Sequence, residues 1–581
     1  MKISSLAQAL LSSLCLGTAL ADQLANSTYY NPILPGWHSD PSCIRVDETY
    51  FCVTSTFIAF PGLPIYASKD LRNWRLISHG WSRESQLPGI SWNTYGQQDG
   101  MYAATLRYHE GEFFLICEYL GQEDGIIGVL FRTTDPFSDD AWSDPVTFKP
   151  TKIDPDIFWD DDGKVYVATQ GIILQELNLE TGELSQPPIS LWNGTGGVWP
   201  EGPHIYKRDG WYYLLIAEGG TALDHSVTIA RAKSIEGPYE AYANNPILTN
   251  RGTDEYFQTV GHGDLFTDTE GNWWGVALAT RCGPEYKNYP MGRETVLYPA
   301  RWEEGEWPVL QNVRGEMEGW PLPAEDKSVP GDGPLNDEAD DFDFDASSKL
   351  PKHFLHWRVP RDGVFSFTDK GLQIVPSRNN LTGVPYSETD VVLTGRRGLS
   401  FVGRRQTHTL FDLTVDLDFT PREIGQEAGI TIFLTQANHI DVSVVLLRGD
   451  DGDKTPKLSL RLRAEGTGGP PPEKIVAVPE DWLKRPGPIR LRIQAKDPLS
   501  YELSASKRCS STPDIVLGTA SSGLVSGGNG SFVGSLVGAF ATCNGVGEGA
   551  DCPAGGLASF KRWRYTPVAQ FISVDESVPS S

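Results

Sequence analysis

Helical periodicity is almost missing from this sequence. Met occurs only 4 times in 581 residues, and no segment repeats apolar residues every three to four positions over several turns, which excludes a helical bundle or coiled coil. Past residue 21, no apolar run approaches the roughly 20 residues a membrane-spanning helix needs. Basic charge is scarce too: 49 Lys+Arg stand against 75 Asp+Glu, a formal net charge of −26. With no Lys/Arg run to offset that balance, a nucleic-acid partner is excluded. Walker loop, G-x-S-x-G elbow, strand-linked G-x-G-x-x-G and C-x-x-C are all lacking, so each chemistry tied to them lacks its sequence basis. The stretch 109–113 (HEGEF) is not H-E-x-x-H, and 159–164 (WDDDGK) lacks the spacing and closing Glu of a calcium loop.

Turn formers are plentiful. The 60 Gly and 41 Pro punctuate short alternating or aromatic-rich runs at Asp-Gly, Glu-Gly and Pro-Gly, the pattern of an all-β chain. Residues 1–21 place Lys2 before a short apolar stretch and end in Ala19-Leu20-Ala21, which reads as a secretory signal peptide and predicts a secreted, extracellular product. Sequons at Asn26, Asn193, Asn380 and Asn529 fit that route as N-glycan sites. Without Cys15, seven Cys remain, so at least one is unpaired within the chain. Cys543 with Cys552, around a Gly-rich loop, is the first expected disulfide, and Cys43 with Cys52, across a hairpin, the second.

Five segments share one plan, a polar opening followed by a strand, a turn and an aromatic-rich strand. They begin at His38, Tyr102, Lys152, Trp199 and Gly261, with turns near Glu48, Gly111, Gly163, Gly210 and Gly271. Such spacing predicts a five-bladed β-propeller over residues 22–324. Residues 325–342 open an acidic Pro/Gly-rich stretch that reads as a linker without a core of its own. Regular alternation over 343–570 predicts an antiparallel β-sandwich of accessory role, rigidifying the propeller, shaping the pocket rim or binding carbohydrate. Residues 571–581 are a tail.

The repeat has a chemical consequence. Asp40 stands eight residues before its turn, and Asp154, Glu201 and His262 nine before theirs; the second blade offers Ala103 and Ala104. Equivalent points on inner strands face the propeller axis, so these groups converge on one pocket. Two carboxylates flanking a glycosidic bond suffice to hydrolyse it, one as acid and one as base, and a third holds the acid protonated near neutral pH. Singly, each is as well explained by a turn: Asp40 and Asp154 both precede Pro. The shared register favours the functional reading. His262 can be a satisfied inner-strand residue, a donor to sugar or a ligand to an axial cation; a non-ligand role is favoured. No cofactor is required on this reading, and an axial Ca²⁺ is the disfavoured alternative. Trp211-Tyr212-Tyr213 and Trp273-Trp274 read as blade core, not sugar platforms.

The segments NPILPGWHSDPS, TKIDPDIFWDDDGKVYV, WPEGPHIYK, GHGDLF and GRETVLYPARWEEGEWPVL together resemble glycoside hydrolase family 43, and its β-xylosidase/α-L-arabinofuranosidase branch in particular. FDFDASSKLPKHFLHWRVPR, RRQTHTLFDL and EAGITIF are similar to that branch's C-terminal sandwich. The resemblance implies Asp40 as general base, Asp154 as the carboxylate that tunes and positions the acid, Glu201 as general acid and Arg293 as a contact to sugar hydroxyls. It also implies inversion, with the Asp40 and Glu201 carboxyls about 6.5–9.5 Å apart. Tyr102-Ala103-Ala104 departs from the family's Trp-Ala-Pro, which bears on substrate preference at that aromatic wall. The implied activity is release of terminal β-D-xylose from xylo-oligosaccharides or arabinoxylan fragments, with α-L-arabinofuranose as a second product. A dedicated α-L-arabinofuranosidase or arabinan-acting enzyme is one alternative, an inactive carbohydrate-binding protein another.

Overall fold

The computed structural model describes residues 27–580 apart from 90–93, 95–97, 122–124, 384–398, 450–454, 509, 511, 527–531 and 548–551. Among these residues β-structure dominates. Five four-stranded antiparallel meanders follow one another, each in simple chain order. Their innermost strands are Ser42–Val46, Gly100–His109, Asp156–Trp159, Glu201–Arg208 and Phe257–Thr267. Each is joined to its neighbour by a tight turn, as the Gly-centred repeat requires. This is the expected five-bladed propeller. The strand Thr28–Tyr30 pairs with Glu316–Glu318, and Asn31 bonds both the amide and the carbonyl of Leu297, so residues 28–31 are pinned beside the fifth blade.

Two further sheets, of nine and six strands, face each other through a common apolar core and form the sandwich. The alternation of Phe411, Leu413, Val415 and Leu417, all buried, shows why this sequence makes a one-sided strand. Among the described residues, no helix is long and apolar enough to cross a membrane.

Two segments pack more closely than composition suggests. The acidic stretch runs along the first blade: the Asp326 amide donates to Asp70 Oδ2 (2.9 Å), Arg75 to the Gly333 carbonyl (2.7 Å) and the Asn336 amide to the Trp74 carbonyl (2.8 Å). Val329 is buried in that blade's core, and Asp340–Phe342 already pairs with Phe342's partner strand at 563–565 in the sandwich. Backbone hydrogen bonds, which composition does not report, hold this stretch down. The tail likewise contains a strand, Ser577–Pro579, paired with 569–571.

Both expected disulfides are present, Cys43–Cys52 and Cys543–Cys552. Cys117 and Cys282 are free, and Cys509 lies outside the described residues. Of the sequons, Asn193 is exposed. Asn380 is 7% exposed and its Nδ2 donates to Asn544 Oδ1 (3.1 Å). Asn26, Asn529 and the proposed leader lie outside the described residues. Tyr213 and Trp274 are fully buried and Tyr212 nearly so, as expected of blade core.

Candidate active site

Each inner strand carries a residue in the left-handed backbone region, two positions before the strand at Asp40 (φ 51°) and Asp154 (60°) and within it at Ala103 (37°), Gly202 (55°) and His262 (50°). Non-glycine residues seldom adopt that region, and Asp and His are among those that tolerate it best. Register shifts interrupt the pairing beside three of these positions, between Tyr102 and Thr105, Glu201 and His204, and Gly261 and Asp264. Such bulges re-aim side chains. The structure corrects the repeat register in one blade. Gly202 occupies the shared position, and Glu201 stands one residue before it. A β-carbon at Gly202 would sit 3.0 Å from the His262 ring, so both the backbone angle and the close approach call for glycine there.

These positions surround a cavity of about 380 Å³, lined by Asp40, Asp154, Glu201, Tyr102, His262 and Arg293 among others. All six residues singled out from the sequence are therefore brought together. Asp40 Oδ2 accepts from Ser55 Oγ (2.7 Å) and Oδ1 from Arg293 Nη1 (3.3 Å), with His262 Nδ1 3.9 Å away. Burial works to raise its carboxyl, but Arg293, His262 and Ser55 outweigh that, and Asp40 lies below its ordinary value. Glu201 behaves oppositely. Burial pushes it up to about 7, the Asp40 charge adding to the rise while the Gln170 amide at 3.1 Å and Arg293 work against it. Asp154 is raised by burial and then by the charges of Glu201 and Asp40, although the Gly202 amide donates to its Oδ2 (3.0 Å). Burial holds His262 down to about 4, so it is neutral near pH 7.

Arg293 is fixed from three sides. It reaches Thr221 Oγ1 (3.2 Å) and the Phe532 carbonyl (3.3 Å) besides Asp40, and its guanidinium lies 4.9 Å from the Phe532 ring centre. Phe532 belongs to the sandwich, so that part of the chain contributes to the pocket wall. Gly292 (φ 67°), next to Arg293, permits this contact: a β-carbon there would meet the Val533 carbonyl at 2.5 Å. Tyr102 packs edge-on against Phe57 at 4.6 Å.

Two polar features escaped sequence reasoning. The first lies two residues beyond the left-handed positions. Arg107 Nη1 donates to Asp264 Oδ2 (2.9 Å) and Ser42 Oγ (3.1 Å), while Nη2 stands 2.9 Å from both Asp156 Oδ1 and His204 Nδ1. Tyr206 Oη adds a bond to Asp264 (2.6 Å). Residues of all five blades thus meet around one buried guanidinium, which, with the Tyr206 hydroxyl, holds Asp264 well below the usual carboxylate range against the effect of burial. The signal available was a polar residue at the same offset in every blade: Ser42, Thr105, Asp156, His204 and Asp264. The second is Glu118, fully buried, with no side-chain donor reaching either carboxyl oxygen among the described residues. Burial, then the Asp154 charge, raises it well above its ordinary value. Among the described residues no group of three or more His, Cys, Asp or Glu is arranged to hold a metal ion.

Comparison with known proteins agrees with this architecture. Residues 29–308 match the family model for glycosyl hydrolases family 43, and residues 339–566 the β-xylosidase C-terminal concanavalin A-like domain. A non-reducing-end α-L-arabinofuranosidase of Bacteroides ovatus is 34% identical over 90% of this chain and 93% of its own. A xylosidase/arabinosidase of Humicola insolens is 33% identical over 71% of this chain and 76% of its own. Among solved structures, a Bacteroides ovatus xyloglucan-locus family 43 protein superposes with TM-score 0.77 at 31% identity, covering 93% of this chain and 99% of that one. A xylan β-1,4-xylosidase of Bacillus halodurans gives 0.76 at 28% identity, covering 92% and 99%.

Proposed function

The chain belongs to glycosyl hydrolases family 43 and is a glycosidase, and from that premise we propose that it removes terminal β-D-xylose from xylo-oligosaccharides with inversion. The observation that carries the mechanism is the opposite displacement of two carboxyls in one cavity, Asp40 downward and Glu201 upward. Environments that push two acids apart assign a base and an acid.

In the proposed reaction Glu201 gives its proton to the glycosidic oxygen as the C1–O bond breaks. The Asp40 carboxylate takes a proton from a water whose oxygen bonds C1 from the opposite face. The reaction leaves Asp40 protonated and Glu201 ionised, and exchange with solvent restores both. Asp154 and Glu201 together hold a proton near neutral pH. The Gly202 amide favours the negative charge on Asp154, which leaves the proton on Glu201. Arg293 keeps Asp40 ionised and offers its remaining donors to sugar hydroxyls. His262, neutral, serves as a hydrogen-bonding wall and not as a metal ligand. No cofactor takes part.

A second reading, a dedicated α-L-arabinofuranosidase, is favoured by the Bacteroides ovatus relative and by Tyr102 in the pocket wall. The proposed product is secreted: the leader and two disulfides suit an oxidising compartment, and Asn193 is an exposed glycan site. The test uses aryl β-D-xylopyranoside, aryl α-L-arabinofuranoside and xylobiose with wild type, Glu201→Gln and Asp40→Asn. Loss of about 10²–10⁴ in turnover by each variant is expected. Wild-type turnover by both variants contradicts the assignment, and activity on the arabinoside alone moves the function to debranching.

A further inference from the structure

Most aromatic side chains around the cavity are packed among themselves. Phe57 stacks on Phe532 at 6.2 Å and meets Tyr102 at 4.6 Å, and Arg293 lies over both Phe rings. This cluster sits with Asp40, to which Arg293 is bonded. Trp199 is different. It also lines the cavity, yet it is 65% exposed and takes part in no ring pair among the described residues. It precedes Glu201 by two positions, and its backbone is left-handed (φ 54°), a region that a bulky residue seldom adopts.

The loop holding Trp199 is nevertheless rigidly built. Buried Glu218 accepts from the Thr195 amide (2.8 Å) and hydroxyl (3.0 Å), the Gly197 amide (3.1 Å) and Thr228 Oγ1 (2.6 Å). On either side of the tryptophan, the Gly219 amide donates to the Val198 carbonyl (2.9 Å) and the Gly171 amide to the Pro200 carbonyl (2.8 Å). Gly220 lies beside the indole, where a β-carbon would stand in ordinary contact, 3.5 Å from Trp199 Cδ1. A strained backbone anchored on both flanks so as to keep a large apolar ring in solvent is a preorganised contact surface without its partner. Trp supplies such area at low conformational cost.

The position identifies the partner. On the reading given above, Glu201 protonates the oxygen that departs, so the leaving group lies on the Glu201 side of the cavity. Trp199, two residues before Glu201, is the exposed ring among the described aromatic residues that line the cavity. We propose that Trp199 is the stacking platform for the sugar ring attached to the departing oxygen, and that it makes the enzyme prefer oligosaccharides over glycosides with small leaving groups. This inference rests on Glu201 as the acid.

The experiment compares wild type, Trp199→Ala and Trp199→Phe on two substrates with the same transferred sugar: xylobiose, which leaves a ring, and β-D-xylopyranosyl fluoride, which leaves none. Trp199→Ala is expected to lose about tenfold in kcat/KM on xylobiose, carried by KM, which corresponds to about 1.4 kcal/mol of binding. On the fluoride it should stay within twofold of wild type, which also shows that the variant folds. Trp199→Phe should recover most of the loss. An equal loss on both substrates, or no loss on xylobiose, overturns the platform. Wild-type silence on both xylosides overturns the xylose reading instead, and the same contrast on arabinofuranosyl substrates then decides for or against Trp199 by the same criteria.

Discussion

The Gly202 amide donates to Asp154 Oδ2 at 3.0 Å, so the residue directly after Glu201 is tied to the neighbouring carboxylate. The bond orients Glu201 and lets Asp154 carry charge at Glu201's expense. Activity should follow a bell against pH. The alkaline limb falls near 7 as Glu201 loses its proton, and the acid limb lies below the ordinary Asp range because Asp40 is held ionised. Asp154→Asn removes the neighbouring charge, so the alkaline limb should move to lower pH and kcat should fall by 10² or more. A pH–rate profile of that variant with an unmoved alkaline limb contradicts the pairing.

Arg293 acts on the other limb. Its guanidinium is the leading influence lowering the Asp40 carboxyl, and truncation should let Asp40 rise. Arg293→Met is expected to shift the acid limb of kcat/KM upward and to lower kcat/KM at least 10–100-fold, since charge-assisted bonds to Asp40 and to substrate are both lost. Arg293→Lys should keep the limb near its wild-type place while still weakening binding, because a lysine keeps the charge but not the planar fork.

Stability should also respond to pH through the raised carboxyls. A carboxyl lifted from 4.5 to about 7 on folding adds stability that is complete below pH 4.5 and lost as pH rises through about 7. The full span corresponds to about 3 kcal/mol. Glu201→Gln should therefore match wild type in thermal midpoint at pH 5 and exceed it at pH 8. Glu118→Gln should show the same sign, since Glu118 is raised as well, and it should leave the pH–rate profile in place. A midpoint for either variant that falls below wild type at pH 8 contradicts this account.

Arg107 holds the five blades together at their centre. Its removal strands the Asp156 and Asp264 carboxylates in a buried site, a change that costs about 3–5 kcal/mol in comparable cases. Arg107→Met should lower the thermal midpoint by several degrees, by more than Arg107→Lys does. The same guanidinium already neutralises the acids at the centre, so wild-type activity should be unchanged by EDTA. Loss on chelation with recovery on adding Ca²⁺ would restore the axial-cation alternative for His262.

The architecture was legible because its turns are. Asp-Gly and Glu-Gly pairs at near-regular spacing mark the blades, and the Asp-Pro entries at 40 and 154 sit where the backbone turns left-handed. Glu201 is legible in the repeat although it stands one residue before the shared position, which Gly202 fills. The partners of Arg107, though not Arg107 itself, were open to sequence reading as the polar second residue after each left-handed position: Ser42, Thr105, Asp156, His204 and Asp264. Glu118 was not: it lies opposite Tyr102 across a strand pair, and nothing local distinguishes it from a surface Glu. Phe532 comes from the sandwich, and Trp199 stands out only once its exposure is known. The acidic stretch after 325 carries no apolar pattern of its own, and what holds it to the first blade is hydrogen bonding through its backbone, which composition does not report.

The most direct test of the proposed chemistry is proton NMR of xylobiose hydrolysis during the first minutes, before the anomers equilibrate. If a water activated by Asp40 attacks from the face opposite the bond that Glu201 protonates, the new reducing end appears first as α-xylose and the β anomer grows in later. Early β-xylose means a covalent intermediate or another base, and it would contradict the assignment of Asp40 and Glu201.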